Sequence, residues 1–220
     1  MKEIFQGIYN INQKIATLNS APGTKPFNEI LVTIDGKEYR QWDPNRSKAS
    51  AAIAKGIKQF PIGEGCVILY LGIAHGFTAS YFSDIIGPNG VIYGVEFSDR
   101  CFNELLSIVS SRRNIIPILA DARKPEDFVE KVIEKVDVVY VDIAQPDATE
   151  VAIRNCKKFL KPRGYLMFTI KTQSVDVTQS VKLTVKLEIE KIAQAGFEII
   201  DWKMLDPFEE CHGFVLARLK

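Results

Sequence analysis

From residue 66 onward the chain alternates between short apolar runs and segments with helical spacing. The runs span 67–71, 91–95, 115–119, 136–141 and 165–170. Strands this apolar along their whole length must be covered on both faces, and helical crossovers between them build a parallel sheet. The intervening segments fit. Residues 78–86 and 125–134 read as helices. Phe102, Leu105, Leu106 and Val109 fall at i, i+3, i+4 and i+7, a stripe that reads as core. Pro146 opens a helix carrying Ala152, Cys156 and Phe159, and Pro162-Arg163-Gly164 turns into the strand 165–170.

The first 45 residues follow a different pattern. Ile4-Phe5, Ile8-Tyr9, Ile11 and 15–18 are short β-like clusters, and Ala21-Pro22-Gly23-Thr24 signals a turn. Asp35-Gly36 joins the runs 29–34 and 37–42, a hairpin signal. This reads as a small antiparallel β module over 1–45, with the α/β domain over 46–220. Residues 46–57 are Ala- and Lys-rich with Ala49, Ile53 and Ile57 on one face, a helix that 63–65 would close. Residues 181–193 satisfy both strand and helix periodicity; their place between two sheet strands favours a helix, capped at Gly196. The strands 197–204 and 213–219, joined by a turn around Pro207, predict a terminal hairpin that puts an antiparallel strand in an otherwise parallel sheet.

Charge and composition exclude several classes. Lys plus Arg number 28 against 27 acidic residues, a formal charge of +1, which argues against a strongly basic, free-standing nucleic-acid binder. The longest apolar stretch, 66–74, is too short to span a bilayer, which takes about 20 residues. The first residues carry no apolar core or cleavage site of a secretory leader. The four cysteines, at 66, 101, 156 and 211, have no CxxC spacing, and there are only two histidines. No structural metal site is expected, and the thiols read as buried groups of a reducing cytoplasm.

In open α/β sheets ligands bind beyond the carboxyl ends of the strands. After the first apolar run stands Gly72-Ile73-Ala74-His75-Gly76-Phe77-Thr78, whose glycines let backbone approach a ligand. It lacks the GxGxxG fingerprint. Glu96 follows the second run, 24 residues beyond Gly72; a carboxylate there suits a ribose diol. Asp121 follows the third, placed to accept from an adenine amine. Asp142 and Gln145 follow the fourth. A ligand with ribose, adenine and an amino-acid end would use them all. S-adenosylmethionine fits; NAD fits less well, because nothing cradles a pyrophosphate.

Taken in order, several motifs resemble archaeal fibrillarin, the fibrillarin-like rRNA/tRNA 2'-O-methyltransferase family. They are Trp42-Asp43-Pro44-Asn45-Arg46-Ser47-Lys48, Leu71-Gly72, Tyr93-Gly94-Val95-Glu96-Phe97-Ser98, Asn114 to Arg123, Asp142-Ile143-Ala144-Gln145-Pro146, Ile170-Lys171, and Asp206-Pro207-Phe208-Glu209 with His212. The resemblance implies a Rossmann-like class I S-adenosylmethionine-dependent methyltransferase with a seven-stranded sheet behind a small N-terminal β module. It implies cofactor contacts at Gly72, Phe77, Thr78, Glu96, Phe97, Asp121, Ala122, Asp142, Ile143, Ala144 and Gln145. It implies a catalytic set of Lys48, Asp142, Lys171 and His212. The first loop departs from the family, since His75 and Phe77 replace small residues. Phe77 is expected to crowd or stack near the cofactor, and His75 to pack within its loop.

The expected reaction is in-line attack of a ribose 2'-hydroxyl on the sulfonium methyl. Lys171 would stand beside the hydroxyl and Lys48 would orient the ribose-phosphate, its charge disfavouring the protonated form of Lys171. Asp142 would orient Lys171, and His212 would complete the network. Arg46 and Arg123 fit phosphate contacts and solvated surface equally. Partners implied are a Nop-domain scaffold protein, a kink-turn-binding protein and a box C/D guide RNA, with rRNA and tRNA as substrates, in an archaeal cytoplasm without membrane contact. The competing readings are a scaffold subunit of the same particle with weak or no cofactor binding, and a methyltransferase acting on protein or a small molecule.

Overall fold

The computed structural model describes residues 1–175 and 178–220. Among them the chain forms two sheets. Five strands, β1 (Lys2–Phe5), β2 (Ile8–Ile11), β3 (Lys14–Leu18), β4 (Leu31–Ile34) and β5 (Lys37–Gln41), make an antiparallel sheet in the order β1-β2-β3-β5-β4. Asp35 and Gly36 both have positive φ, 50° and 73°, the twist a two-residue hairpin turn requires. Strand β4 starts two residues later than its β-rich run, because Glu29 is drawn inward to the buried Arg40, 2.6 Å away.

After helix α1 (Lys48–Ala54) the alternating segment folds as read: β6 (Val67–Leu71), α2 (Phe77–Ile86), β7 (Val91–Glu96), α3 (Asp99–Val109), β8 (Ile115–Leu119), a 3-10 helix (Pro125–Lys131), β9 (Val136–Val141), α4 (Ala148–Phe159), β10 (Leu160–Lys171), the single turn α5 (Thr172–Val175), α6 (Val181–Gln194), β11 (Phe197–Met204) and β12 (His212–Leu219). The seven-stranded sheet runs β11-β12-β10-β9-β6-β7-β8, with β12 antiparallel to both neighbours. Strand β6 is buried at every residue. The chain leaves it toward β7 and β8 on one side and returns to β9 and β10 on the other. That reversal opens a crevice at the carboxyl ends of the strands.

Several expectations change. Helix α1 is shorter than 46–57: its last turn closes on Lys55, and Gly56 takes φ 73°, so 63–65 plays no part. Residues 125–134 yield only a 3-10 helix over Pro125–Lys131, where just Pro125 and Phe128 are buried; Val132 follows it into the core while Ile133 stays exposed. In α3 the buried row is Leu105 and Ile108, and Leu106 faces solvent. Pro162-Arg163-Gly164 is an irregularity inside β10: pairing with β9 slips between Leu160 and Tyr165, and Arg163 has φ 62°. Residues 181–194 are helical, so sheet topology decides where periodicity could not. Cys66 and Cys156 are buried, but Cys101 and Cys211 are partly exposed. No helix among the described residues is long and apolar enough to cross a membrane.

The two sheets meet on α2. Trp42 stacks on Tyr81 with centroids 5.0 Å apart and planes 9° apart. Beside this stack the Asp84 carboxylate accepts hydrogen bonds from the Thr17 hydroxyl (2.9 Å), the Ser20 amide (3.0 Å) and hydroxyl (2.7 Å), Arg40 (2.8 Å) and Arg112. Both arginine side chains and that of Asp84 are fully buried. Burial pushes the Arg112 guanidinium below its ordinary value, against the pull of Asp84.

Candidate active site

Strand ends deliver the site. Gly72 follows β6, Glu96 ends β7, Asp121 follows β8, Asp142 follows β9 and Lys171 ends β10. His212 begins β12, which runs the other way and so enters at the same edge. Lys48 opens α1, whose N-cap Ser47 shares a 3.0 Å hydrogen bond with Thr78.

A cavity of about 240 Å³ lies along this edge. Of the expected cofactor contacts, Gly72, Glu96, Phe97, Asp121, Ala122, Asp142, Ile143, Ala144 and Gln145 line it, and so does Lys171. Gly72 has φ 79°, and a Cβ there would come within 2.9 Å of Ile143 Cγ2 and 3.0 Å of the Asp142 carbonyl. The two loops therefore close on each other only around a glycine. Glu96 is buried, and its carboxylate accepts from three backbone amides: Ala74 at 2.9 Å, Phe97 at 3.1 Å and Ser98 at 2.9 Å. Of about four acceptor positions on a carboxylate, one on Oε2 is left for a ligand hydroxyl. Phe97 is 68% exposed, a free aromatic face at the rim. Asp121 is held by Arg123, whose Nε and Nη2 donate to it at 2.9 and 2.7 Å. Those bonds keep its carboxyl below the usual range.

Phe77 and Thr78 do not line the cavity. Thr78 is turned to Ser47. Phe77 packs edge-on against Phe27 and Tyr81, with centroids 5.1 and 5.3 Å away, on the side of the small sheet. The expectation that it crowds the cofactor finds no contact there. His75 turns outward to Glu104 on α3, 3.3 Å away.

Lys48 and Lys171 converge on Asp142. Lys171 Nζ lies 2.8 Å from Oδ1 and donates to the Asp142 carbonyl at 2.8 Å. The aligned bond is the one to the carbonyl; Oδ1 is buried and receives no well-directed donor, so its contact with Lys171 is an ion pair only. Lys48 Nζ lies 3.5 Å from Oδ2 and 3.8 Å from Glu209. The ammonium charges are thus separated by an anion, and Lys48 does not face Lys171 as an unscreened cation. Glu209 belongs to the motif that carries the family resemblance but was assigned no part in the site; its nearness to His212 in one loop was the available signal. His212 Nδ1 lies 2.6 Å from the Glu210 carbonyl. A carbonyl only accepts, so Nδ1 carries the hydrogen and the neutral ring keeps a lone pair on Nε2.

The fibrillarin family model matches residues 1–220. A fibrillarin-like rRNA/tRNA 2'-O-methyltransferase of Thermococcus onnurineus is 46% identical across 99% of this chain and 97% of its own length. The structure of Aeropyrum pernix fibrillarin with natively bound S-adenosyl-L-methionine superposes with a TM-score of 0.90 at 44% identity, covering 98% of this chain and 96% of that one. A fibrillarin/Nop5p complex contributes a chain with a TM-score of 0.89 at 35% identity, each chain covered in full.

Proposed function

The chain belongs to the fibrillarin family, and from that premise we propose that it methylates ribose 2'-hydroxyls of rRNA and tRNA with S-adenosylmethionine. The observation that carries this reading is the meeting of Lys48 and Lys171 on Asp142, at the rim of a cavity that also holds Glu96. The cavity suits the cofactor. The glycine cradle at Gly72 admits close approach, Oε2 of Glu96 keeps one acceptor for a ribose hydroxyl, and Phe97 offers a stacking face. Asp121 and Ala122 suit the adenine, and 142–145 the amino-acid end. When bound, S-adenosylmethionine supplies an activated methyl group.

The chain's own residues do the rest. Lys171, pinned by the Asp142 carbonyl, keeps ammonium hydrogens that orient the substrate hydroxyl, and as that oxygen takes the methyl its proton passes to His212 Nε2 as acceptor. Lys48 steadies the ribose-phosphate. Asp142 fixes both lysines, and His212 contributes the free ring nitrogen Nε2. Alignment supplies much of the rate. The scaffold reading was motivated by His75 and Phe77; His75 turns to Glu104 and Phe77 to Phe27.

The chain acts with a Nop-domain protein. We extend the assembly to a kink-turn-binding protein and a box C/D guide RNA, which choose the target, in an archaeal cytoplasm. Within the chain, 1–45 and 46–220 are taken as the two functional units. The test is calorimetric titration with S-adenosylmethionine, followed by methyl incorporation into a guided RNA by the assembled particle. Binding and guide-dependent incorporation are expected. Absence of heat on titration overturns the enzymatic reading, and incorporation into protein instead of RNA overturns the substrate.

A further inference from the structure

Between the small sheet and the start of α1 lies a second cleft, of about 740 Å³, larger than the cavity at the strand ends. Arg46 and Phe77 stand on its wall. The Arg46 guanidinium rests over the Phe77 ring, 4.4 Å from its centroid, and Nη1 donates to the Phe27 carbonyl at 2.9 Å. It is nonetheless exposed, and it forms no ion pair among the described residues. An arginine in solvent normally loses rotamer freedom when it binds; this one is already held, with four of its five N–H donors uncommitted. Of the cleft's two carboxylates one is ion-paired and the other is hydrogen-bonded through one oxygen. Glu29 is paired with Arg40, and Asp43 Oδ1 accepts from the Asn45 backbone and side-chain amides, both at 2.9 Å. Lys14 adds a second cation, and Asn28 and Gln41 add amide groups.

We infer that this cleft binds the substrate RNA strand beside the methylated ribose, with Arg46 as its phosphodiester-positioning group. Arg46 and Lys48 stand on one short segment, two residues apart at the opening of α1, the guanidinium on the cleft side over Phe77 and the ammonium on the Asp142 side, so a strand reaching Lys48 from the small sheet would pass Arg46. Phe77 is explained by the same arrangement: its ring orients the guanidinium on the face turned from the cofactor cavity. The inference rests on the function proposed above and adds where the strand runs.

The test uses the particle assembled with its Nop-domain protein, kink-turn-binding protein and guide. Binding of a fluorescent target RNA is followed from about 50 to 200 mM salt, beside methyl transfer. Arg46→Ala is expected to raise the Kd for RNA about tenfold at low salt and KM with it, leaving kcat within about twofold. Its salt dependence should be shallower by about one phosphate, so wild type loses about threefold more affinity across that range. Arg46→Lys should recover the salt slope but only part of the affinity, because an ammonium lacks the planar stack. Phe77→Leu should weaken RNA binding less than Arg46→Ala and add little on top of it. An unchanged Kd and slope in Arg46→Ala overturns the inference. So does loss of Nop-domain association with an unchanged slope, which makes the cleft a protein interface. If wild type binds RNA with the predicted slope yet transfers no methyl, the enzymatic reading fails and the cleft stands.

Discussion

Lys171 and His212 are direct partners across the β10/β12 ladder. Opposite residues of an antiparallel pair share a face, so a residue that ends one strand and a residue that begins another, 41 positions apart in sequence, present a cation and an imidazole to the same edge. Asp142 reaches that edge from the neighbouring parallel strand. Lys171→Ala should therefore lower single-turnover methyl transfer by about 10²-fold or more, with a thermal midpoint near wild type because the side chain is not in the core. His212→Ala should cost less, since Lys171 and Lys48 stay on Asp142. A Lys171→Ala rate equal to wild type would remove the lysine from the chemistry.

Gly72 is constrained twice, by a positive φ and by the nearness of the Asp142 loop. Gly72→Ala should lose about 1–3 kcal/mol of stability and weaken S-adenosylmethionine binding in the same protein. Thermal denaturation with and without cofactor reads both. A variant as stable and as avid as wild type would show the loops to be slack.

Asp84→Asn keeps the shape but leaves two buried guanidinium groups with Glu29 as their remaining carboxylate. The expected cost is about 3–5 kcal/mol, seen as a midpoint lower by about 10 °C or more. A change of a degree or two would mean the cluster is solvated in solution.

Burial pushes the Cys66 thiol up to about 12, and the fully enclosed Cys156 thiol up as well. A group raised in the folded state stabilises below its unfolded value and loses that contribution as pH rises toward the folded one. Stability should thus fall above about pH 9, with Cys66 alone responsible for a loss on the order of 1 kcal/mol by about pH 10, and Cys66→Ala should flatten that limb in denaturant titrations. A thiol reagent at neutral pH should modify Cys101 and Cys211 while sparing Cys66 and Cys156. Equal labelling of all four contradicts the burial.

Most of the sheet is legible from hydrophobic spacing, because β6, β7 and β9 are apolar almost throughout and Asp35-Gly36 is unambiguous turn chemistry. The cavity at the strand ends, where we propose the cofactor binds, is legible by counting strand ends. The catalytic grouping is not: nothing in the spacing of Lys48, Asp142, Lys171 and His212 says that they meet, and only the family resemblance joined them. The Asp84 cluster is hidden for a different reason. A charge in a short helix reads as solvated surface, and its partners Arg40 and Arg112 lie 44 and 28 residues away. That the Phe77 side chain packs on Phe27 and Tyr81 was not legible, because loop spacing identifies a neighbourhood but not the face a side chain takes.

Helix α2 begins at the loop that follows Gly72 and ends near Asp84, ten residues and about 15 Å on. It is a stiff rod held by the amino-terminal sheet most firmly at Asp84, with lighter contacts at Ser80 and Phe77, and adjoining the loop after Gly72 at its start. Trimming or fusing the chain's front end would accordingly be felt at the distant tip: removing Arg40, Thr17 and Ser20 releases the grip, and the rod's far end loses its anchorage. An assay of cofactor affinity is then also a gauge of whether the small sheet is seated.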